Sequence, residues 1–194
     1  MKGRWQKSCA TFSDDRLYRY ALWRAFRMDN PGLFCTAAER YIHTTQGDHV
    51  LAVCMLNPST ADERKNDPTI ERCERFALRN GYTALLVLNL YGYRSTSPEE
   101  LLLAKDPVGP DWDQHILVKS KAAKLLGATF VEAWGAAKAV RDDDRQVRRL
   151  RSIWDDCGIH LRFCFGLTKD GHPRHPLYMR SDVELRPAPG SVGA

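Results

Sequence analysis

The sequence predicts an α/β protein: a three-layer α/β/α sandwich with a central, mainly parallel sheet of four strands, preceded by an N-terminal extension. Three observations predict it. Four apolar runs of strand length recur from residue 50 onward, segments with helical caps separate them, and each run ends in a polar, turn-rich loop.

The first run, VLAVCML (50–56), is continuous in the manner of a strand buried on both faces, and NPST stops it. A helix follows, with Asp67 or Asn66 as N-cap, Pro68 in its first turn, and Ile70, Cys73, Phe76 and Ala77 as its apolar stripe. NG at 80–81 ends it. TALLVLNL (83–90) is the second strand, and SPEE opens the next helix with Ser97 as cap and Glu100 closing a capping box. KDPVGPDWD (105–113) is a loop, a helix from about 113 stops at Gly127, and TFVEAWG (129–135) is the third strand. A helix from about 142 to Gly158 leads to the fourth strand, HLRFCFG (160–166).

The chain reads as one domain over 1–194, with an extension (1–48), a core (49–180) and a loose tail (187–194). Within the extension, RLYRYALWRAF (16–26) partly alternates and can add an edge strand, and TAAERYIHTTQGD forms either a short helix or a hairpin arm.

A net charge of +5 is compatible with an anionic partner such as nucleic acid. The six cysteines form no C-x-x-C pair and no metal-finger spacing, so no metal and no cofactor is expected, and reduced thiols in a cytoplasmic protein are the economical reading. No signal-peptide core is visible, and no apolar run reaches the roughly 20 residues that span a bilayer. No membrane association is expected.

Right-handed crossovers bring the four strand ends to one edge of the sheet, where ligands of such sheets bind. Four loops therefore meet there: NPST, NLYGYRST, WGAAK and GHPRHPLY. In the first, the Asn57 amide can orient a water, and Ser59 and Thr60 can grip phosphate oxygens; an Asx or ST turn is the structural alternative. Asp62 or Asp67 can activate that water, although Asp67 also suits the helix cap. Asn89, at the end of the second strand, presents a donor and an acceptor side by side, which matches a base edge. Tyr91 and Tyr93 offer either stacking faces or core packing, and Arg94 a cation for phosphates. The VRRLR run follows DDD and reads as a solvated helix face. His172 and His175, on a path fixed by prolines, can stabilise an oxyanion or move a proton.

The blocks MLNPSTAD, DPTIERC, NLYGYRST, DPVGP, AWG and GHPRHPLY, in that order over about 55–179, resemble those of the bacterial and phage domain-of-unknown-function family 1643. A second resemblance is to the uracil-DNA glycosylase superfamily, through LNPST, LLVLN, EAWG and HPRHP in that order. It implies that Asn57 positions the attacking water, Asn89 reads a flipped-out base, and His172, or His175 in a shifted register, steadies charge on the departing base. It also implies Tyr91 or Tyr93 as the stacking face, Leu177 as a wedge in the duplex, and Pro58, Ser59 and Arg174 as backbone contacts. Asn57 stands where many members carry aspartate, so water activation is weaker or moves to a carboxylate such as Asp62. The activity expected is a DNA glycosylase-like hydrolysis of the N-glycosidic bond of a base, modified or not, in single- or double-stranded DNA. The alternatives are an N-glycosidase of free nucleotides or nucleosides, and a non-catalytic nucleic-acid-binding module.

Overall fold

The computed structural model describes residues 5–29 and 48–191. Strands β1 (Lys7–Phe12) and β2 (Arg19–Ala25) form an antiparallel pair. There follow β3 (Val50–Met55), α1 (Pro68–Arg79), β4 (Ala84–Asn89), α2 (Glu100–Leu103), α3 (Trp112–Leu125), β5 (Thr129–Glu132), α4 (Lys138–Arg141) and α5 (Arg145–Asp156). The chain ends through β6 (Phe163–Cys164), a 3₁₀ turn at Pro176–Tyr178 and β7 (Arg186–Pro187).

The expected four-stranded, mainly parallel sheet is wrong. The sheet has seven strands in the order β1-β2-β4-β3-β5-β6-β7 and is mixed. β3 pairs parallel with β4 and β5, and β5 with β6, whereas β1/β2, β2/β4 and β6/β7 are antiparallel. Strands β1 and β7 were not anticipated and lack an unbroken apolar run, and β2, expected at most as an edge strand, lies inside the sheet between β1 and β4. β2 contains two arginines, yet all seven of its residues are buried. β7 is only two residues long, and its Pro187, the first residue of the stretch read as a loose tail, pairs with Phe163 of β6. The TAAERYIHTTQGD reading lies outside the described residues.

Side chains alternate across the sheet, so each strand feeds two cores. Ala52, Cys54, Leu86 and Leu88 pack with Trp112 and Ile116 of α3 and with Leu150 and Trp154 of α5. On the other face, Leu51, Val53, Leu85 and Val87 pack with Ile70, Cys73 and Phe76 of α1. Each large side chain so buried contributes roughly 1.5–3 kcal/mol, and this holds the strand ends in register. No described helix is long and apolar enough to cross a membrane. Cys54, Cys73, Cys157 and Cys164 are free, but Cys9 is disulfide-bonded, contrary to the reading of uniformly reduced thiols.

Local caps follow the sequence at α1 and depart from it at α2. Asp67 Oδ1 accepts from Ile70 N at 2.9 Å and caps α1. Ser97 is not the N-cap: α2 begins after Glu99, Ser97 Oγ accepts from Glu99 N at 3.3 Å, and the Glu100 carboxylate bonds Ser95 Oγ instead of closing a capping box.

The buried Arg24 ties the β3–α1 connection to β2. It donates to Asp62 O at 2.6 Å, Lys65 O at 3.1 Å and Asn66 Oδ1 at 2.9 Å. Its charge faces Glu74 at 3.6 Å and the ring of Trp5 at 4.2 Å. These bonds fix the segment that carries Asn57 and Asp67.

Candidate functional site

A cleft of about 820 Å³ opens at the C-terminal ends of the parallel strands. Its walls come from the loops after β3, β4, β5 and β6, with Arg19 of β2 and the head of α1 between them.

After β3, the half-buried Asn57 lines the cleft. Its Nδ2 donates to Pro58 O at 3.2 Å and Ser95 O at 3.0 Å, which fixes the amide and leaves Oδ1 without a described donor. Asp67 is buried at the first turn of α1, where Oδ1 serves the cap and Oδ2 has no described donor. Both uncommitted oxygens belong to cleft-lining residues. One polar amide and one carboxylate are therefore available to a water or a ligand.

The opposite wall is a seam between the loops after β5 and β6. Gly135 N donates to Pro173 O at 2.9 Å. Gly135 has φ +78°, and a Cβ there would sit 3.2 Å from His175 Cβ, so glycine is what lets the two loops touch. His175 starts the 3₁₀ turn, and its Nδ1 accepts from Leu177 N at 3.4 Å. An accepting Nδ1 puts the proton of a neutral imidazole on Nε2. Burial pushes the imidazole below its usual 6.5, with the charge of Asp67 pulling the other way. His175 is thus a neutral N–H donor at neutral pH.

Of the residues expected at the site, the cleft gathers Asn57, Ser59, Arg174, His175 and Leu177. His172 is absent from the lining: its backbone closes a turn with Thr168, donating to Thr168 Oγ1 at 3.2 Å and accepting from Thr168 N at 2.8 Å. Asp62 is a turn residue whose Oδ1 accepts from Arg64 N at 2.8 Å and Lys65 N at 2.9 Å. Burial would raise its carboxyl, but those amides outweigh it and hold the group below the usual range. Pro58 is buried behind the wall, and Thr60 is exposed outside the lining.

Asn89 is 1 % exposed and also misses the lining, though it pairs with Met55, which borders the cleft. Both polar atoms of its amide lack a hydrogen-bond partner. Tyr91 belongs to the core and donates to Ala139 O at 3.0 Å. Tyr93 packs edge-on to Tyr18 at 6.0 Å. Arg94 lies over Phe12 and donates to Arg16 O at 3.2 Å. Among the described residues no three His, Cys, Asp or Glu side chains converge in a manner that could hold a metal.

Sequence reasoning missed Arg19, Thr168, Lys169 and Tyr178, all of which border the cleft. Arg19 is one of two arginines in a strand whose every residue is buried, and a cation in that position is the signal that could have revealed it.

A family model described as protein of unknown function (DUF1643) matches residues 19–177. The chain belongs to the DUF1643 family. In this DUF1643 protein the matched span begins at Arg19 and ends at Leu177, and both of these residues line the cleft. No curated protein and no solved structure matches the DUF1643 chain.

Proposed function

We propose that this DUF1643 protein hydrolyses the N-glycosidic bond of a base in DNA. The observation that carries the reading is one cleft walled by a carboxylate, Asp67, and by a neutral imidazole donor, His175, with the fixed amide of Asn57 beside them.

Breaking the C1′–N bond leaves its electron pair on the base and cation character on the sugar. His175 Nε2–H hydrogen-bonds the base as negative charge develops, and Asn57 Oδ1 orients a water toward C1′. Asp67 takes a proton from that water as its oxygen bonds to C1′. The base then acquires a proton from solvent, so base–sugar plus water gives free base and a sugar hydroxyl. A DNA substrate is supported by the mouth of the cleft. Leu177 and Tyr178 are 38 % and 74 % exposed there, beside the exposed Lys169 and Arg174. Apolar side chains flanked by cations suit a strand whose base has been extruded, a step costing a few kcal/mol.

The test is mass-spectrometric detection of free base from single- and double-stranded oligonucleotides carrying normal, deaminated and bulky modified bases. Release of one base is expected, with the rate falling about 10²–10³-fold in His175→Ala, the cost of one lost oxyanion-type donor. Asn57→Ala should also lose activity, while His172→Ala should keep it. No release from any oligonucleotide by folded, DNA-binding protein would replace the enzyme with a binding module.

A further inference from the structure

Arg19 is a buried cation at the cleft with few partners. It is 1 % exposed; among the described residues its side chain donates one hydrogen bond, from Nη1 to Ala61 O at 2.7 Å, and its buried Nε has no partner. A guanidinium has five N–H donors, and a buried one that uses so few leaves donors for a water, an ion or a ligand. No described carboxylate forms an ion pair with it, although the charge of Asp67 is felt there. Burial lowers the group to about 10, which leaves it charged at neutral pH.

The charges around Arg19 are mixed: Arg24 faces Glu74, Arg94 adds a second cation, and Asp67 and Asp62 act on Arg19 through space without an ion pair among the described residues. Thr69 in the first turn of α1 and Ser59 after β3 border the same cleft and add hydroxyl groups. The head of a 12-residue helix is itself favourable to an anion.

We propose that Arg19, with Thr69 and Ser59, binds a phosphate of the substrate, so that the cleft takes a nucleotide unit rather than a bare base or nucleoside. The proposal rests on the glycosidase reading for the rest of the ligand. A planar fork and two hydroxyls match phosphate oxygens, and an entering anion recovers the cost of burying the cation. The phosphate is either the monoester of a free nucleotide or a phosphodiester within a DNA strand.

Binding, measured apart from catalysis, separates these. Isothermal titration would compare inorganic phosphate, the four deoxynucleosides, their 5′-monophosphates, and an oligonucleotide lacking terminal phosphate, with wild type, Arg19→Met and Arg19→Gln. Wild type is expected to bind a phosphate-bearing form at least about tenfold more tightly than the deoxynucleoside, since bonds to charged groups contribute that much or more. Both variants should lose this preference. Arg19-dependence for monophosphates and inorganic phosphate identifies a free nucleotide, and Arg19-dependence for the oligonucleotide alone identifies a phosphodiester.

Equal affinity of wild type for all forms, or a preference kept in a folded variant, overturns the proposal. Should Arg19→Met not fold, Arg19→Gln, which can still donate to Ala61 O, decides on the same criterion. Base release is followed in parallel. A phosphate preference without base release removes the enzyme reading and keeps the phosphate site, and base release without the preference does the reverse.

Discussion

One ring nitrogen of His175 is committed before any ligand arrives, because Nδ1 accepts from Leu177 N. Burial favours the neutral ring and Asp67 favours the charged one. The NMR titration midpoint of His175 should therefore fall below 6.5, and Asp67→Asn should lower it further by removing the opposing charge. The unfolded chain then binds the proton more readily than the folded one. Stability from this group is complete above about 6.5 and is lost as the pH falls through that value toward the lower folded one. Between pH 7 and 5.5, urea denaturation should show a larger loss for wild type than for His175→Gln. At this scale an amide or an imidazole at a strand end was a signal the sequence could show, but it marked Asn89 and His172 as well as Asn57 and His175, and only the latter two line the cleft. Tyr91 and Tyr93 were not legible, since the order of aromatics along a loop does not say which side faces the core. Arg19 stayed hidden because arginine in a strand reads as an exposed edge.

Helix α1 serves both the fold and the site, through Asp67. Asp67→Ala removes the cap bond to Ile70 N and should cost about 0.5–2 kcal/mol, read as a lower urea midpoint. Asp67→Asn keeps a capping oxygen and should hold the midpoint, yet it removes the base and should abolish turnover as fully as alanine does. A cap without chemistry would give equal activity in wild type and Asp67→Asn. The start of α1 was readable because Pro68 and a short acceptor before it leave few alternatives. The start of α2 was not, because the hydroxyls of Ser95 and Ser97 and the carboxylates of Glu99 and Glu100 bond one another rather than forming the expected box. β5 stops earlier than its apolar run because Gly135 turns the chain toward Pro173.

At the scale of the molecule, the segment read as an N-terminal extension is part of the sheet. β2 pairs with β4 from Ala21↔Leu88 to Ala25↔Ala84, and Arg24 fastens the loop ahead of α1. Removing Arg24 leaves the fully buried Glu74 without this partner. Arg24→Met should lower the unfolding free energy by about 3–5 kcal/mol in urea titration, the cost of breaking a buried pair. The parallel strands were visible in the sequence because burial on both faces writes an unbroken apolar run. β2 was legible as a strand but read as an edge, because its arginines find acceptors on loops distant in sequence, which no local pattern records.

One further contact joins the two walls of the cleft that carry Asp67 and His175. Arg72 of α1 donates from Nη1 to Met179 O at 2.6 Å, at the C-cap of the turn that carries His175. The same helix carries Asp67 at its head. The spacing between carboxylate and imidazole is thus inherited from helix pitch, whereas the rim turn at Thr168–Gly171 is held by bonds within its own hairpin. Sequence drift in that rim can alter which ligands enter without disturbing the spacing of Asp67 and His175, so on the glycosidase proposal substrate range and reaction type are free to evolve separately.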